Sequence, residues 1–129
     1  MEHYWKRADA NGAIGVAGPP PAMSSHEQPI TLAFVGYANA ATAERASQYE
    51  DEVLRLLESY GARLLYRGRR TQDQDQALPL EIQLMSFPGR SELDAFHADE
   101  RRQILLTEYG DVFTLKHAVE LETLQPLTL

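Results

Sequence analysis

The sequence predicts an α+β fold of the ferredoxin-like type, with a four-stranded antiparallel sheet and two helices on one of its faces. Apolar residues at steps of three and four indicate two amphipathic helices, which end at Tyr60-Gly61 and Tyr109-Gly110. A strand is expected after each pair, from Ala62 to Tyr66 after the first and in the β-rich run Val112-Phe113-Thr114-Leu115 after the second. Two such units within 129 residues indicate two similar halves, and hence the element order β-α-β-β-α-β.

The composition indicates one domain and narrows the possible chemistry. A chain of 129 residues with 43% hydrophobic content can bury a core without metal or disulfide support. It has no cysteine, which excludes disulfides, thiolate catalysis and cysteine-ligated metal centres. The net charge of −7 argues against nucleic acid or an anionic membrane as partner. With no apolar run of membrane-spanning length and no secretion signal, we expect a cytoplasmic protein.

Three segments are expected along the chain. Residues 1–28 are interrupted by glycines and by Pro19-Pro20-Pro21 and show no helix or strand period, which predicts a flexible N-terminal arm. Residues 29–122 form the α+β domain. Residues 123–129 form a C-terminal tail.

The first half of the domain is predicted as strand, helix and strand. Residues 30–37 are rich in β-branched and aromatic side chains, which indicates a strand. A helix is expected over residues 41–60, with Asn39 or Thr42 as its N-cap. A second strand is expected over residues 62–69.

The apolar face of this first helix is predicted from the spacing of Ala46, Tyr49, Val53, Leu57 and Tyr60. Glu50, Asp51 and Glu52 lie at successive positions and diverge, so we interpret them as a solvated face and not as a metal site. Gly61 can close the helix in the left-handed conformation because it has no Cβ.

The second half repeats the pattern with an interrupted helix. A strand is predicted over residues 80–87. Ser91 and Asp94 resemble a capping box at the start of the helix, and Asp99 is expected to cap a second helical piece. The last strand is predicted over residues 112–121, where apolar and polar side chains alternate.

The stretch Tyr60-Gly61-Ala62-Arg63-Leu64-Leu65-Tyr66-Arg67-Gly68, together with Met85-Ser86-Phe87-Pro88-Gly89 and the broken second helix, resembles the dimeric α+β barrel superfamily. The resemblance is to small uncharacterised one-domain members related to cofactor-free monooxygenases and muconolactone isomerases. Their typical signature is a Tyr-Gly-Gly-x-x-Leu-x-Arg-Gly strand and a Phe-Pro turn, and the present chain departs from it at Ala62.

The resemblance implies a homodimer whose sheets pack face to face, with no cofactor or metal. A sheet covered by helices on one side leaves its other face open, and we expect Val35, Leu65, Met85 and Phe87 on that face. An exposed apolar patch of this kind typically marks an interface, and a twofold partner is the commonest way to cover it.

Seven polar side chains are candidates for a functional site. His97 at the helix break and Tyr66 on the second strand are the candidate catalytic residues, because imidazole and phenol groups can transfer protons. The candidate substrate-binding residues are Tyr37, Arg63, Arg67, Glu81 and His117.

Each candidate also has a structural interpretation. Arg63 and Arg67 are four residues apart in the second strand, so we expect their side chains on the same face. There they would either clamp an anion or carbonyl, or pair across the strands with Glu81 or Gln83. Tyrosines at these spacings are typical of core positions that leave a wet hydroxyl. The structural interpretation of His117 is a hydrogen-bonded histidine of the core or sheet edge, and that of His97 is a partly exposed helix residue.

Two functions remain open at this point. One is the binding of a small organic molecule, aromatic or polyketide-like, by a homodimer that acts as a cofactor-independent monooxygenase, isomerase or cyclase. The other is a non-catalytic assembly or regulatory module that uses residues 1–28 to bind a partner.

Overall fold

The computed structural model describes residues 28–126, so nearly all of the expected arm and the last three residues of the tail lie outside the described part. The elements are β1 (Ile30–Tyr37), α1 (Ala43–Arg55), a 3₁₀ helix (Leu56–Tyr60), β2 (Arg63–Arg69), β3 (Glu81–Phe87), α2 (Arg90–His97), α3 (Glu100–Tyr109) and β4 (Leu115–Leu121). The strands form one antiparallel sheet in the order β2-β3-β1-β4. This is the predicted ferredoxin-like fold, with α2 and α3 as the two pieces of the second helix.

The end of the first helix is the predicted glycine stop. Gly61 has φ 65° and ψ 16°, the left-handed conformation. Its N–H donates to the carbonyl of Glu58 at 3.3 Å, and the N–H of Ala62 donates to the carbonyl of Leu57 at 3.1 Å. These bonds satisfy carbonyls that the helix end would otherwise leave without a donor, and β2 begins two residues later.

The last strand begins later than predicted, at Leu115 instead of residue 112. Val112 and Phe113 are buried in the connection before it. The ring of Phe113 packs edge-on against Phe34 at 5.5 Å between centroids. A Cβ built on Gly36 would lie 2.7 Å from the Phe113 ring, so this glycine makes room for the connection. The apolar residues that suggested strand therefore serve as core.

The helix caps agree only in part with the sequence. Asn39 accepts a hydrogen bond from the N–H of Thr42 at 3.1 Å and so closes the turn before α1. Thr42 occupies the N-cap position but makes no side-chain cap bond. The capping box predicted at Ser91 and Asp94 is wrong, because α2 has Gly89 at its N-cap, which places Ser91 inside the first turn.

Asp99 caps α3 as predicted and links three segments. Its carboxylate accepts from the N–H of Arg101 at 2.7 Å. It also accepts from the Tyr60 hydroxyl and from the Arg101 guanidinium, which in turn reaches Ser59 at 3.2 Å. The Arg101 guanidinium holds the pKa of Asp99 well below its usual range. The cap thereby fixes the helix break against the end of the 3₁₀ helix.

The helix-facing side of the sheet has an unexpected composition. Residues 81, 83, 85 and 87 of β3 are all buried against the helices. The expectation that Met85 and Phe87 lie on the open face is therefore wrong. Their strand turns its polar residues Glu81 and Gln83 inward with them, and its aliphatic Ile82 outward.

The open face is the side of the sheet that the helices do not cover. Alternate residues of β1, β3 and β4 lie on it, together with the residues of β2 that pair with them. Its apolar members are Ala33, Val35, Ile82, Leu84, Leu115, Val119 and Leu121. Val35 lies here as expected, and Leu65 is exposed on β2. The sheet thus turns aliphatic side chains to the side that the helices leave uncovered.

A bulge in β2 changes which way its residues point. Arg63 pairs with Ser86, but Arg67 pairs with Gln83, because the register shifts around Leu65. One extra residue on a strand reverses the alternation beyond it. Arg63 and Arg67 therefore lie on opposite faces, and the prediction that they share one face is wrong.

We expect replacement of Gly61 by alanine to lower the free energy of unfolding by about 1–2 kcal/mol, because an L side chain is strained in the left-handed conformation. The nearest atom to an added Cβ is Pro88 Cγ at 3.5 Å, an ordinary contact, so the loss would report backbone strain. Urea unfolding measures it. Gly61→Asn is the control and should lose less, since asparagine tolerates this conformation better; equal stability of Gly61→Ala and wild type would contradict the assignment.

Candidate functional site

The seven candidate residues lie in three places. Tyr37, Arg63, Tyr66 and His117 lie on the open face by strand register. Arg67 and Glu81 lie on the helix side of the sheet. His97 is the last residue of α2, and its backbone carbonyl accepts from Arg102 Nη1 at 2.9 Å. The structure therefore does not bring all seven into one site.

On the open face, two aromatic polar groups lie at opposite ends of one row. The register aligns Gly68, Ile82, Val35 and His117 across the four strands. A Cβ on Gly68 would lie 2.8 Å from Tyr66 Cε2, so the Tyr66 ring lies over this glycine. The row thus has a phenol at one end, an imidazole at the other and aliphatic side chains between them.

Tyr37 adds a second phenol beside His117. The two rings pack edge to face, 6.4 Å apart with an interplanar angle of 89°. Tyr37 faces Leu115 across the strand pair. Polar hydrogen-bonding groups therefore lie among the aliphatic side chains of this face.

On the helix side, Glu81 is the centre of a buried ionic cluster. Its carboxylate accepts from Ser47 Oγ at 2.8 Å, from Arg67 Nε at 2.9 Å and Nη2 at 2.8 Å, and from Gln83 Nε2 at 2.9 Å. Arg67 also donates to Asp51 at 2.6 Å. The side-chain bond to Glu81 is the main reason that the pKa of Arg67 lies above its usual range. The ion pair expected as the structural interpretation of Arg67 is present.

Glu50 is a buried carboxyl that the sequence analysis missed. Only 5% of the residue is exposed, and it accepts from Gln83 Nε2 at 3.0 Å. Burial raises its pKa to about 6, with a further contribution from Glu81. A signal was present, since Glu50 follows Ala46 by four positions and precedes Val53 by three, which places it on the apolar face. Its interpretation as a solvated residue is wrong.

Two spaces adjoin this cluster. A surface cleft of about 310 Å³ opens beside Asp51, Arg67 and Arg69. Both guanidinium groups have carboxylate partners, Arg69 reaching Glu44 at 3.4 Å, so the cleft does not offer an uncommitted cation to an anion. An interior cavity of about 10 Å³, enough for one water, lies beside Glu50.

Residues 28–126 contain no group of three His, Asp or Glu side chains arranged to hold a metal ion. Among the helices of this same part of the chain, none is long and apolar enough to cross a membrane.

We expect the Glu50→Gln variant to gain stability relative to wild type as the pH rises. A carboxyl whose pKa goes from 4.5 unfolded to about 6 folded favours folding when protonated, and this contribution is lost as the pH rises through the folded pKa. The shift corresponds to about 2 kcal/mol between about pH 4 and about pH 8.

Urea unfolding of both proteins across this pH range checks the expectation. Glu52→Gln on the more exposed side of α1 is the control, and its difference from wild type should stay nearly constant. Parallel pH profiles for wild type and Glu50→Gln would show that Glu50 is not a buried acid.

Comparison with known proteins identifies the fold. A scan against protein-family models found no match, and a search of curated proteins found none. Among solved structures, an antibiotic biosynthesis monooxygenase matches with a TM-score of 0.57 at 11% identity, covering 74% of this chain and 99% of that one.

Two proteins of unknown function match similarly. One from Rhodopseudomonas palustris has a TM-score of 0.58 at 14% identity, with coverage of 84% and 97%. The other, from Bacteroides fragilis, is described as dimeric with a ferredoxin-like fold; its TM-score is 0.57 at 7% identity, with coverage of 74% and 96%. Likeness at such low identity reports the fold. The chain has a ferredoxin-like fold, and the solved structures that share it include proteins described as antibiotic biosynthesis monooxygenases.

Proposed function

We propose that the protein acts as a homodimer in which the open faces of two copies pack together and bind a small organic molecule between them. The observation that carries this proposal is the aliphatic composition of the open face. Ile82, Leu115, Val119 and Leu121 are each between 44% and 50% exposed in the single chain. Contiguous apolar surface of this kind typically marks an interface, which a second copy can cover through twofold symmetry.

The ligand would contact the polar groups of this face. Sheets that pack face to face lie about 10 Å apart, a distance that side chains or a thin ligand can fill. Tyr37, Tyr66 and His117 would supply hydrogen bonds and ring contacts, with Arg63 on the edge strand at the rim. An aromatic or polyketide-like molecule suits this lining.

Catalysis would be cofactor-independent monooxygenation, isomerisation or cyclisation, with Tyr66 as the proton-transfer group on this face. His97 lies at the end of α2 and would act only on a ligand that reaches the helix break. The paired Arg67 and Glu81 would support the sheet from behind.

A second candidate function is a non-catalytic assembly or regulatory module. The small size of the interior cavity supports it, since about 10 Å³ cannot hold an organic molecule without movement of its walls. The dimer would then serve as a platform, and residues 1–28, which are almost entirely outside the described part, would bind the partner.

Dimerisation is tested by placing a charge on the open face. We expect Ile82→Asp to weaken dimerisation at least 100-fold, because a carboxylate would be buried without a partner. Sedimentation equilibrium measures the dissociation constant. Ile104→Asp on α3 is the matched control, since Ile104 is also an exposed aliphatic residue but not part of the open face, and it should leave the dimer intact. A monomeric wild type would overturn the proposal.

Ligand binding is tested by a thermal-shift screen of aromatic acids, quinones and lactones against the dimer. We expect at least one compound to raise the melting temperature, and Tyr66→Phe or His117→Gln to reduce that shift by removing a hydrogen bond. Ile104→Asp again serves as the control. A dimeric wild type that no compound stabilises would leave the assembly module as the function.

A further inference from the structure

Strand β4 forms one border of the sheet, and within residues 28–126 no other strand pairs with its outer edge. It has seven residues, Leu115–Leu121, and its pairing with β1 runs through all of them without a shift of register. A border of this kind presents a row of backbone donors and acceptors that another strand can meet. The edge is therefore a regular surface for an interaction through the backbone.

The backbone directions in β1 indicate which residues of β4 face this edge. The Gly36 carbonyl accepts from the N–H of Leu80 at 2.8 Å on the side of β3, and the Tyr37 carbonyl accepts from the N–H of Thr114 at 2.7 Å on the side of β4. Leu115 lies opposite Tyr37 and so turns its backbone groups towards β1, and the direction alternates along the strand. The residues of β4 that turn their N–H and C=O groups outward are then Lys116, Ala118 and Glu120.

The sequence of β4 is complementary to itself when two copies run antiparallel. With Ala118 opposite Ala118 of a second copy, all seven residues have a residue across from them. Lys116 then lies across from Glu120 of the second copy, and Leu115 lies across from Leu121. Opposite charges and apolar pairs at directly opposed positions stabilise an antiparallel pair. Moving the centre by one residue either way leaves strand ends unpaired and separates Lys116 from Glu120, so one register is favoured.

This register also continues both faces of the sheet from one copy to the next. Residues of the open face, such as Leu115 and Leu121, meet residues of the open face. Lys116 and Glu120 lie on the helix side, where Lys116 is buried and Glu120 accepts from Arg90 of α2 at 2.7 and 2.9 Å. The residues with outward backbone groups meet each other as well. Side-chain charge and backbone direction therefore agree on the same partner, a second copy of this chain.

We propose that the outer edge of β4 pairs antiparallel with the same edge of a second copy about a twofold axis at Ala118, which extends the four strands of one copy to a sheet of eight. The contact is isologous, so pairing of the two edges uses both of them. It lies at the border of the sheet and does not depend on the face-to-face dimer; where both contacts form, it joins face-to-face dimers to each other. A single pair of short strands buries little surface, so the association is weak and depends on protein concentration.

Amide hydrogen exchange of the unmodified full chain, measured by NMR, tests the pairing directly. We expect the N–H groups of Ala118 and Glu120 to exchange at least about tenfold more slowly in concentrated than in dilute protein, because pairing hides them from water. The N–H groups of His117 and Val119 are the internal control, since they face β1 and should be protected at both concentrations. Rapid exchange of Ala118 and Glu120 at every concentration would overturn the proposal.

The variant Ala118→Pro removes an outward N–H and leaves the bonds to β1 in place, and proline is tolerated on an edge strand. We expect it to weaken association through this edge at least about tenfold in sedimentation equilibrium, because the two central hydrogen bonds are lost. Ala118→Ser keeps the N–H and is the matched control. Circular dichroism verifies the fold of both; if Ala118→Pro does not fold, the exchange pattern of the unmodified chain still decides.

A different occupant of the edge gives a different result. Pairing with residues 1–27 of the same chain would protect Ala118 at every concentration and would be lost when these residues are deleted, which would overturn the proposal. Pairing with a second copy should survive that deletion. Ile82→Asp, which tests the face-to-face dimer, should leave the exchange pattern of β4 unchanged because Ile82 lies on β3. Failure of either contact can thus be recognised alone.

Discussion

The hydrogen bonds to the Glu81 carboxylate join the first helix to the sheet, and much of the remaining structure depends on them. Ser47 on α1, Arg67 on β2 and Gln83 on β3 all donate to this one buried group. A buried carboxylate is tolerated only when donors surround it, and removal of one donor leaves charge uncompensated. The contact therefore fixes the position of α1 over β2 and β3 more strictly than aliphatic packing would.

This cluster also explains the unusual distribution of polarity in the sheet. Strand β3 turns Glu81 and Gln83 towards the helices, so strict alternation sends Ile82 and Leu84 to the open face. The other helix-facing residues of the two central strands are apolar, with Leu32, Phe34 and Met85 buried in the core, so the polar pair is confined to the start of β3. The ionic contacts on one face and the apolar surface on the other are thus two results of the same register.

Much of the fold could be predicted from local signals. The order of elements, the glycine stop at Gly61 and the cap at Asp99 follow from residue types whose backbone preferences do not depend on distant contacts. The capping box at Ser91 failed because the N-cap is Gly89, two residues earlier than the side-chain pattern indicates. Val112 and Phe113 were wrongly predicted as strand residues because a buried connection has the same kind of apolar side chains as a strand.

The site was less predictable because it depends on contacts between elements. No local pattern reports the extra residue in β2 that separates Arg63 from Arg67, since its effect is on pairing with β3. Glu50 was assigned to solvent by its acidic neighbours, although its helical position indicates burial. A charged residue within an apolar helical stripe was the available signal, and only the partner Gln83 makes its burial understandable.

The bulge at Leu65 also limits where another molecule can add a strand to the sheet. Strand β2 forms one outer border of the sheet, where an incoming strand of another molecule would need an unbroken ladder of backbone donors and acceptors. The extra residue interrupts that ladder and bends the border, which discourages extension into fibrils. The opposite border, β4, pairs with β1 without any shift of register, so a strand from another molecule would find a regular ladder only there.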